Sequence, residues 1–143
     1  MKIYCDNGAC PKELNQLQNK GVVELFMFPY ENTNRHIKNS GLPSECGWND
    51  LKNFTWDTLP NTWDDYSGSD KYQQIIQLIG LENKRLDISH LDSAYKSECD
   101  IFLTNDKDDI WIHKAELEDL LNIRIFCVSE VSECLNYILA SRR

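Results

Sequence analysis

Four acidic residues stand where predicted strands end or predicted helices begin, and they could act together on one metal ion. Asp6 directly follows the first predicted strand, Glu31 follows the second, Asp87 opens a helix, and Asp106 follows a strand by three residues. Carboxylates held close together repel one another unless a cation lies between them. A set of oxygen ligands suits Mg²⁺ or Mn²⁺, and a site of this kind can hydrolyse phosphodiesters.

Each of these acids also has a simpler interpretation when it is taken alone. Asp6 begins an Asp-Asn-Gly sequence that is typical of turns. Glu31 and Asp87 are placed as ordinary acids at helix N-termini, which the helix dipole favours. Asp106 belongs to an acidic loop that could simply be solvated. What favours a common site is their shared placement, which directs all four acids toward one edge of one sheet.

The elements that must position these acids follow from the pattern of apolar residues. Short apolar runs predict strands at 2–5, 22–28, 101–103 and 123–128. Helical spacing predicts helices at 11–20, 30–39, 72–81, 87–97, 113–121 and 131–139. Strands that alternate with helices predict an α/β fold, a three-layer α/β/α sandwich around a mainly parallel sheet. The length of 143 residues fits a single domain over 1–143.

One segment does not fit the alternation of strands and helices. Residues 43–70 contain Trp48, Trp56 and Trp63 among many polar residues, which predicts an irregular excursion. A loop of this length is typically functional or covered by a partner. The alternative is that its tryptophans fold back onto the core.

Charge and cysteine content exclude some classes of protein. A net charge of −8 argues against nucleic-acid binding through a broad basic surface, but it does not exclude an enzyme whose acids converge on a metal. The sequence shows no signal peptide and no membrane span, so we expect a cytoplasmic protein. The six cysteines form no Cys-x-x-Cys motif and are expected to be reduced thiols, which leaves a zinc site only weakly supported.

Four stretches of the chain resemble the PIN-domain ribonucleases, especially their compact bacterial, VapC-toxin-like branch. They are Lys-Ile-Tyr-Cys-Asp-Asn at 2–7, Phe-Pro-Tyr-Glu at 28–31, Asp-Ile-Ser-His-Leu at 87–91 and Cys-Asp-Ile-Phe-Leu-Thr-Asn-Asp at 99–106. The last stretch is the most specific, because it resembles the strand that ends in the family's Thr-x-Asp. When Asp106 is aligned with that motif, His90 falls on the family's histidine and Asp87 takes the metal position, with Asp92 in reserve.

The resemblance implies a metal-dependent endoribonuclease that cleaves RNA. The metal, Mg²⁺ or Mn²⁺, would be bound by Asp6, Glu31, Asp87 and Asp106, and Thr104 would orient the last turn by hydrogen bonding. Many family members are toxins held by a small antitoxin, so an antitoxin partner and a homodimer are implied as well.

This sequence also departs from the family pattern. The turn after Asp6 lacks the hydroxyl or second Asn often found there, and the middle excursion differs from the usual helical pair. Asp108 or Asp109 could share the metal.

Substrate contacts and other functions stay open at this point. Phosphates could be contacted by basic residues, and unpaired bases could stack on the tryptophans of the excursion. The basic residues are Lys12, Arg35, Lys38 and Lys107. The alternative functions are a non-catalytic PIN-like module that binds a protein through its tryptophans, and a metal-dependent phosphatase or DNA nuclease.

Overall fold

The strands of the protein form one parallel sheet. The computed structural model describes residues 1–6, 9–27, 37, 39–42, 44, 67–80, 85–105 and 108–142. The strands are β1 (Lys2–Cys5), β2 (Glu24–Met27), β3 (Asn39–Ser40), β4 (Ile101–Thr104) and β5 (Arg124–Cys127). They lie in the order β3-β2-β1-β4-β5, and every neighbouring pair is parallel. The predicted α/β fold with a mainly parallel sheet is therefore confirmed.

Helices connect and cover these strands. They are α1 (Lys12–Asn19), α2 (Tyr72–Ile79), α3 (Arg85–Lys96), α4 (Asp109–Ile112), α5 (Lys114–Leu121) and α6 (Val131–Ser141). A 3-10 helix, Val128–Glu130, leads into α6. Gly21 ends α1 as the sequence predicts, because its φ of 69° lets the Val22 amide donate back to the Leu17 carbonyl at 2.9 Å.

Alternate residues of the strands contribute to two separate apolar clusters. Tyr4 and Phe102 pack with residues of α2, α3 and α5. Ile3, Cys5 and Leu103 pack instead with residues of α1 and α6. Since successive side chains of a strand point to opposite faces, both faces of the sheet carry packed apolar side chains. The strands are buried for this reason, and only their ends can present polar groups.

The strand order reverses direction next to β1. The chain passes from β1 outward to β2 and β3, and then returns to the other side of β1 to form β4 and β5. Cys5 pairs with Leu103, so β1 and β4 end at the same level. In open parallel sheets, ligands bind outside the carboxyl ends of the strands at such a reversal.

The structure corrects the prediction between the second and third predicted strands. The sequence predicts a helix over 30–39, but Asn39 belongs to β3 and pairs with Phe26 of β2. A strand of two residues leaves no periodic pattern to detect, which explains why the sequence does not predict it. Residues 30–36 and 38 of the predicted helix lie outside the described residues. The same holds for residues 45–66 of the predicted excursion, with all three of its tryptophans.

Two further findings concern the cysteines and the lengths of the helices. Five cysteines lie in the described part of the chain, all of them outside disulfides, and Cys10 is the one among them that is not fully buried. Cys46 lies outside this part.

Across the described residues, none of the helices combines the length and the apolar character that crossing a membrane would need.

Candidate active site at the carboxyl edge of the sheet

Asp6 lies at the reversal of strand order, where β1 ends beside β4. Its amide donates a 2.9 Å hydrogen bond to the Leu103 carbonyl, which continues the pairing of β1 and β4 by one residue. Its own carbonyl accepts a 2.7 Å hydrogen bond from the Ala9 amide. The residue is only 8% exposed. The backbone therefore fixes an acidic side chain in a nearly closed position at the edge where ligands bind in this class of fold.

Thr104, the last residue of β4, contacts this carboxylate directly. Its hydroxyl donates a 2.9 Å hydrogen bond to Oδ2 of Asp6. Thr104 is completely buried, so the bond is shielded from competing water. The sequence predicts that Thr104 orients the turn after β4, part of which lies outside the described residues, and the structure shows that Thr104 also holds the carboxylate that follows β1.

His90 of α3 approaches the other oxygen of the same carboxylate. Its Nε2 lies 3.4 Å from Oδ1 of Asp6, and its Nδ1 lies 3.0 Å from the hydroxyl oxygen of Tyr4. Burial lowers the pKa of His90 below its ordinary value, although the nearby Asp6 charge acts in the opposite direction. The imidazole is therefore neutral at pH 7, and it offers Asp6 a polar contact without a positive charge.

Asp87 lies on the same side of α3 as His90. The two residues are three positions apart, a spacing that places side chains one above the other on a helix. Because His90 contacts Asp6, Asp87 lies one turn further toward the start of α3 on the face that meets Asp6. Asp87 is half-buried and stands in the first turn of the helix.

Asp92, the reserve candidate, belongs to a different network. It is fully buried, and its Oδ2 accepts hydrogen bonds from the Ser44 hydroxyl at 2.6 Å and the Ser69 amide at 3.1 Å. The Ser69 hydroxyl also donates to Oδ1. Both oxygens thus hold the segments that contain Ser44 and Ser69 against α3. Asp92 is thus engaged in this network, and the choice of Asp87 over Asp92 as a metal ligand stays a prediction.

The other predicted site residues are described only in part. Glu31 and Asp106 lie outside the described residues, as do Arg35, Lys38 and Lys107. Asp108 is exposed, Asp109 is half-buried at the start of α4, and Lys12 is exposed at the start of α1.

Within the described ranges, no three His, Cys, Asp or Glu side chains form a group that could hold a metal. Asp6 and Asp87 contribute only carboxylate oxygens, a donor set that fits Mg²⁺ or Mn²⁺.

The sequence does not predict the contact between Tyr4 and His90. From the sequence, Tyr4 is an apolar strand residue, and His90 belongs only to the resemblance to PIN-domain ribonucleases. A signal was present, because Tyr4 and Asp6 are two residues apart along an extended chain and so project to the same side of the sheet. The residue that would meet them both could not be identified without the packing of α3.

The chain matches no protein-family model, no curated protein and no solved structure. The resemblance to PIN-domain ribonucleases stays a prediction from the sequence.

Proposed function

We propose that this protein is a divalent-metal-dependent endoribonuclease of the PIN-like type. One observation carries the proposal. An almost buried carboxylate, Asp6, lies at the reversal of strand order in a parallel sheet, with Thr104 and His90 in contact with its two oxygens. Strand β4, through Thr104, and helix α3, through His90, thus both contact one acid at the edge where ligands bind. We include in this proposal the three-layer α/β/α arrangement, which the apolar clusters on both faces of the sheet support.

Asp6 and Asp87 are the described residues that would hold the metal, and Glu31 and Asp106 are proposed to complete the set. A bound Mg²⁺ or Mn²⁺ supplies an activated water and stabilises negative charge on the phosphate oxygens. The protein itself supplies a rigid carboxylate. Thr104 holds one oxygen of Asp6, and burial at 8% exposure keeps competing water away.

The substrate and partners follow from the resemblance. RNA is the proposed substrate, and an antitoxin-like protein and a second copy of the chain are proposed partners in a cytoplasmic setting. Carboxylates alone do not distinguish RNA from DNA, because that choice depends on contacts to the 2′-hydroxyl. The test must therefore include both nucleic acids.

The experiment is cleavage of a mixed single-stranded RNA, and of a DNA of the same sequence, with and without Mn²⁺. The protein is compared with Asp6→Asn and Asp106→Asn, which should each lose about 100-fold or more in rate, as expected when a group that stabilises the transition state is removed. Asp119→Asn is the matched control, since Asp119 is exposed on α5 and the change in charge is the same. Thermal unfolding of every variant checks that the fold is retained.

The outcomes separate the candidate functions. Mn²⁺-dependent cleavage of RNA that both site variants abolish supports the nuclease. Cleavage of DNA alone indicates a DNA nuclease built on the same site. A well-folded protein that cleaves neither nucleic acid contradicts the proposal, and it favours the non-catalytic PIN-like module that binds a protein partner.

A further inference from the structure

Tyr4, His90 and Asp6 form a continuous chain of polar contacts that runs from the core to the edge of the sheet. The Tyr4 hydroxyl lies 3.0 Å from Nδ1 of His90, and Nε2 of the same ring lies 3.4 Å from Oδ1 of Asp6. Tyr4 is completely buried and His90 is 1% exposed. Polar groups buried to this degree almost always have hydrogen-bond partners, so the direction of these contacts can be worked out.

The carboxylate determines which ring nitrogen carries the proton. An ionised carboxylate only accepts hydrogen bonds, so a lone pair on Nε2 facing Oδ1 would be repelled. The proton therefore lies on Nε2, and Nδ1 is left as an acceptor. The Tyr4 hydroxyl then donates to Nδ1. All three groups are satisfied by this single arrangement, with each proton directed toward Asp6.

Tyr4 is itself held in place by its neighbours. Its ring stacks on Phe102 with centroids 5.4 Å apart and planes 7° from parallel. It meets the His90 ring edge-on at 5.9 Å. On another side the Gly41 backbone packs so closely that an added Cβ would lie 3.0 Å from Cε2 of Tyr4. The hydroxyl therefore has little freedom to move away from His90.

We propose that Tyr4 and His90 are positioning residues for Asp6: Tyr4 orients the His90 ring by donating to Nδ1, and His90 holds the carboxylate opposite Thr104. With both oxygens contacted, rotation of the carboxylate is restricted. Such outer partners set the orientation and the metal affinity of a ligand. The consequence for metal affinity rests on the proposed function, whereas the tautomer and the restriction of Asp6 do not.

The first test is nuclear magnetic resonance of the ¹⁵N-labelled protein without metal. Long-range ¹H–¹⁵N spectra assign the His90 tautomer, which should be Nε2–H in the wild type. Tyr4→Phe keeps the ring stacked on Phe102 but removes the donor to Nδ1, so it should shift the Nδ1 ¹⁵N resonance while the proton stays on Nε2. Tyr137→Phe is the matched control, because Tyr137 lies on α6 and packs against Phe126. An Nδ1–H tautomer in the wild type, or an unchanged Nδ1 resonance in Tyr4→Phe, would overturn the proposal.

The second test is Mn²⁺ affinity, measured by calorimetry on the intact chain. Tyr4→Phe and His90→Ala should each weaken binding by about tenfold, the lower end of what loss of an outer partner costs. His90→Gln restores a donor toward Asp6 and should recover part of the loss, which a purely structural role of the ring does not predict. If the wild type binds no Mn²⁺, the proposed nuclease fails, and the tautomer measurement alone decides the positioning role.

Discussion

The Thr104 hydroxyl donates a 2.9 Å hydrogen bond to the Asp6 carboxylate across 98 positions of sequence. The bond exists because β1 and β4 are parallel neighbours that end at the same level, Cys5 beside Leu103. A side chain at the end of one strand can therefore support the acid at the end of the other.

Removal of this hydroxyl should destabilise the protein. In Thr104→Val, a buried carboxylate loses a donor, which should cost about 1.5–3 kcal/mol in the free energy of unfolding. Thr104→Ser keeps the hydroxyl, so its free energy of unfolding should fall by less than that of Thr104→Val. Urea denaturation measures both variants, and a Val variant at least as stable as the Ser variant would show that the bond contributes little.

Gly41→Ala should disturb the site although Gly41 has no side chain of its own. A Cβ at this position would lie 2.8 Å from the Ser93 hydroxyl and 3.0 Å from the Tyr4 ring, so one of them must move. Overpacking of this kind costs about 1–3 kcal/mol. We expect a lower melting temperature together with changed amide shifts at Tyr4 and His90. Gly21→Ala serves as the contrast, because its Cβ would meet nothing within 4 Å and its positive φ alone would be strained. It should leave the shifts at Tyr4 and His90 unchanged.

Asp92→Ala should be among the most destabilising changes in the described part of the chain. The substitution removes the acceptor for the Ser44 hydroxyl and for both the amide and the hydroxyl of Ser69. Removing the acceptor of a buried donor such as the Ser44 hydroxyl costs about 1–3 kcal/mol, and the half-buried Ser69 donors should add less. Hydrogen exchange should also show reduced protection of the Ser69 amide. Asp119→Ala, at an exposed position, is the control, and equal stability of the two variants would contradict the buried network.

Stability should decrease on mild acidification because of His90. Burial lowers the pKa of His90 in the folded state, so the unfolded chain binds the proton more readily. The free energy of unfolding should therefore fall as the pH drops below about 6.5, by at most about 1.4 kcal/mol per pH unit. His90→Gln should reduce this slope. Identical slopes for wild type and His90→Gln between pH 7 and 5 would rule out this contribution.

The buried thiols should resist alkylation and should weaken the fold at high pH. Burial raises the pKa of Cys99 to about 12 and that of Cys134 to about 11. Since the thiolate is the reactive form, iodoacetamide at pH 8 should modify Cys10 well before either of them, as peptide mass spectrometry would show. Above about pH 9 the unfolded chain loses thiol protons that the native state keeps, so the free energy of unfolding should fall as the pH rises. Uniform labelling of the three thiols in the native protein would contradict this account.

The sequence alone determined most of the regular structure. Apolar periodicity located β1, β2, β4 and β5 and every described helix except α4. It succeeded there because burial on one or both faces imposes a repeat that can be read locally. It failed at β3, where Asn39–Ser40 are too short to show any repeat, and at the single-turn α4.

Only the tertiary structure decided how the candidate site is built. The sequence placed Asp6, Asp87 and Thr104 at the ends of elements, but it gave no strand order. The order β3-β2-β1-β4-β5 brings Thr104 against Asp6, and the packing of α3 brings His90 between Asp6 and Tyr4. These contacts span 86 and 98 positions of sequence. Local patterns cannot encode such contacts, because they depend on which strands become neighbours and on which face each helix packs.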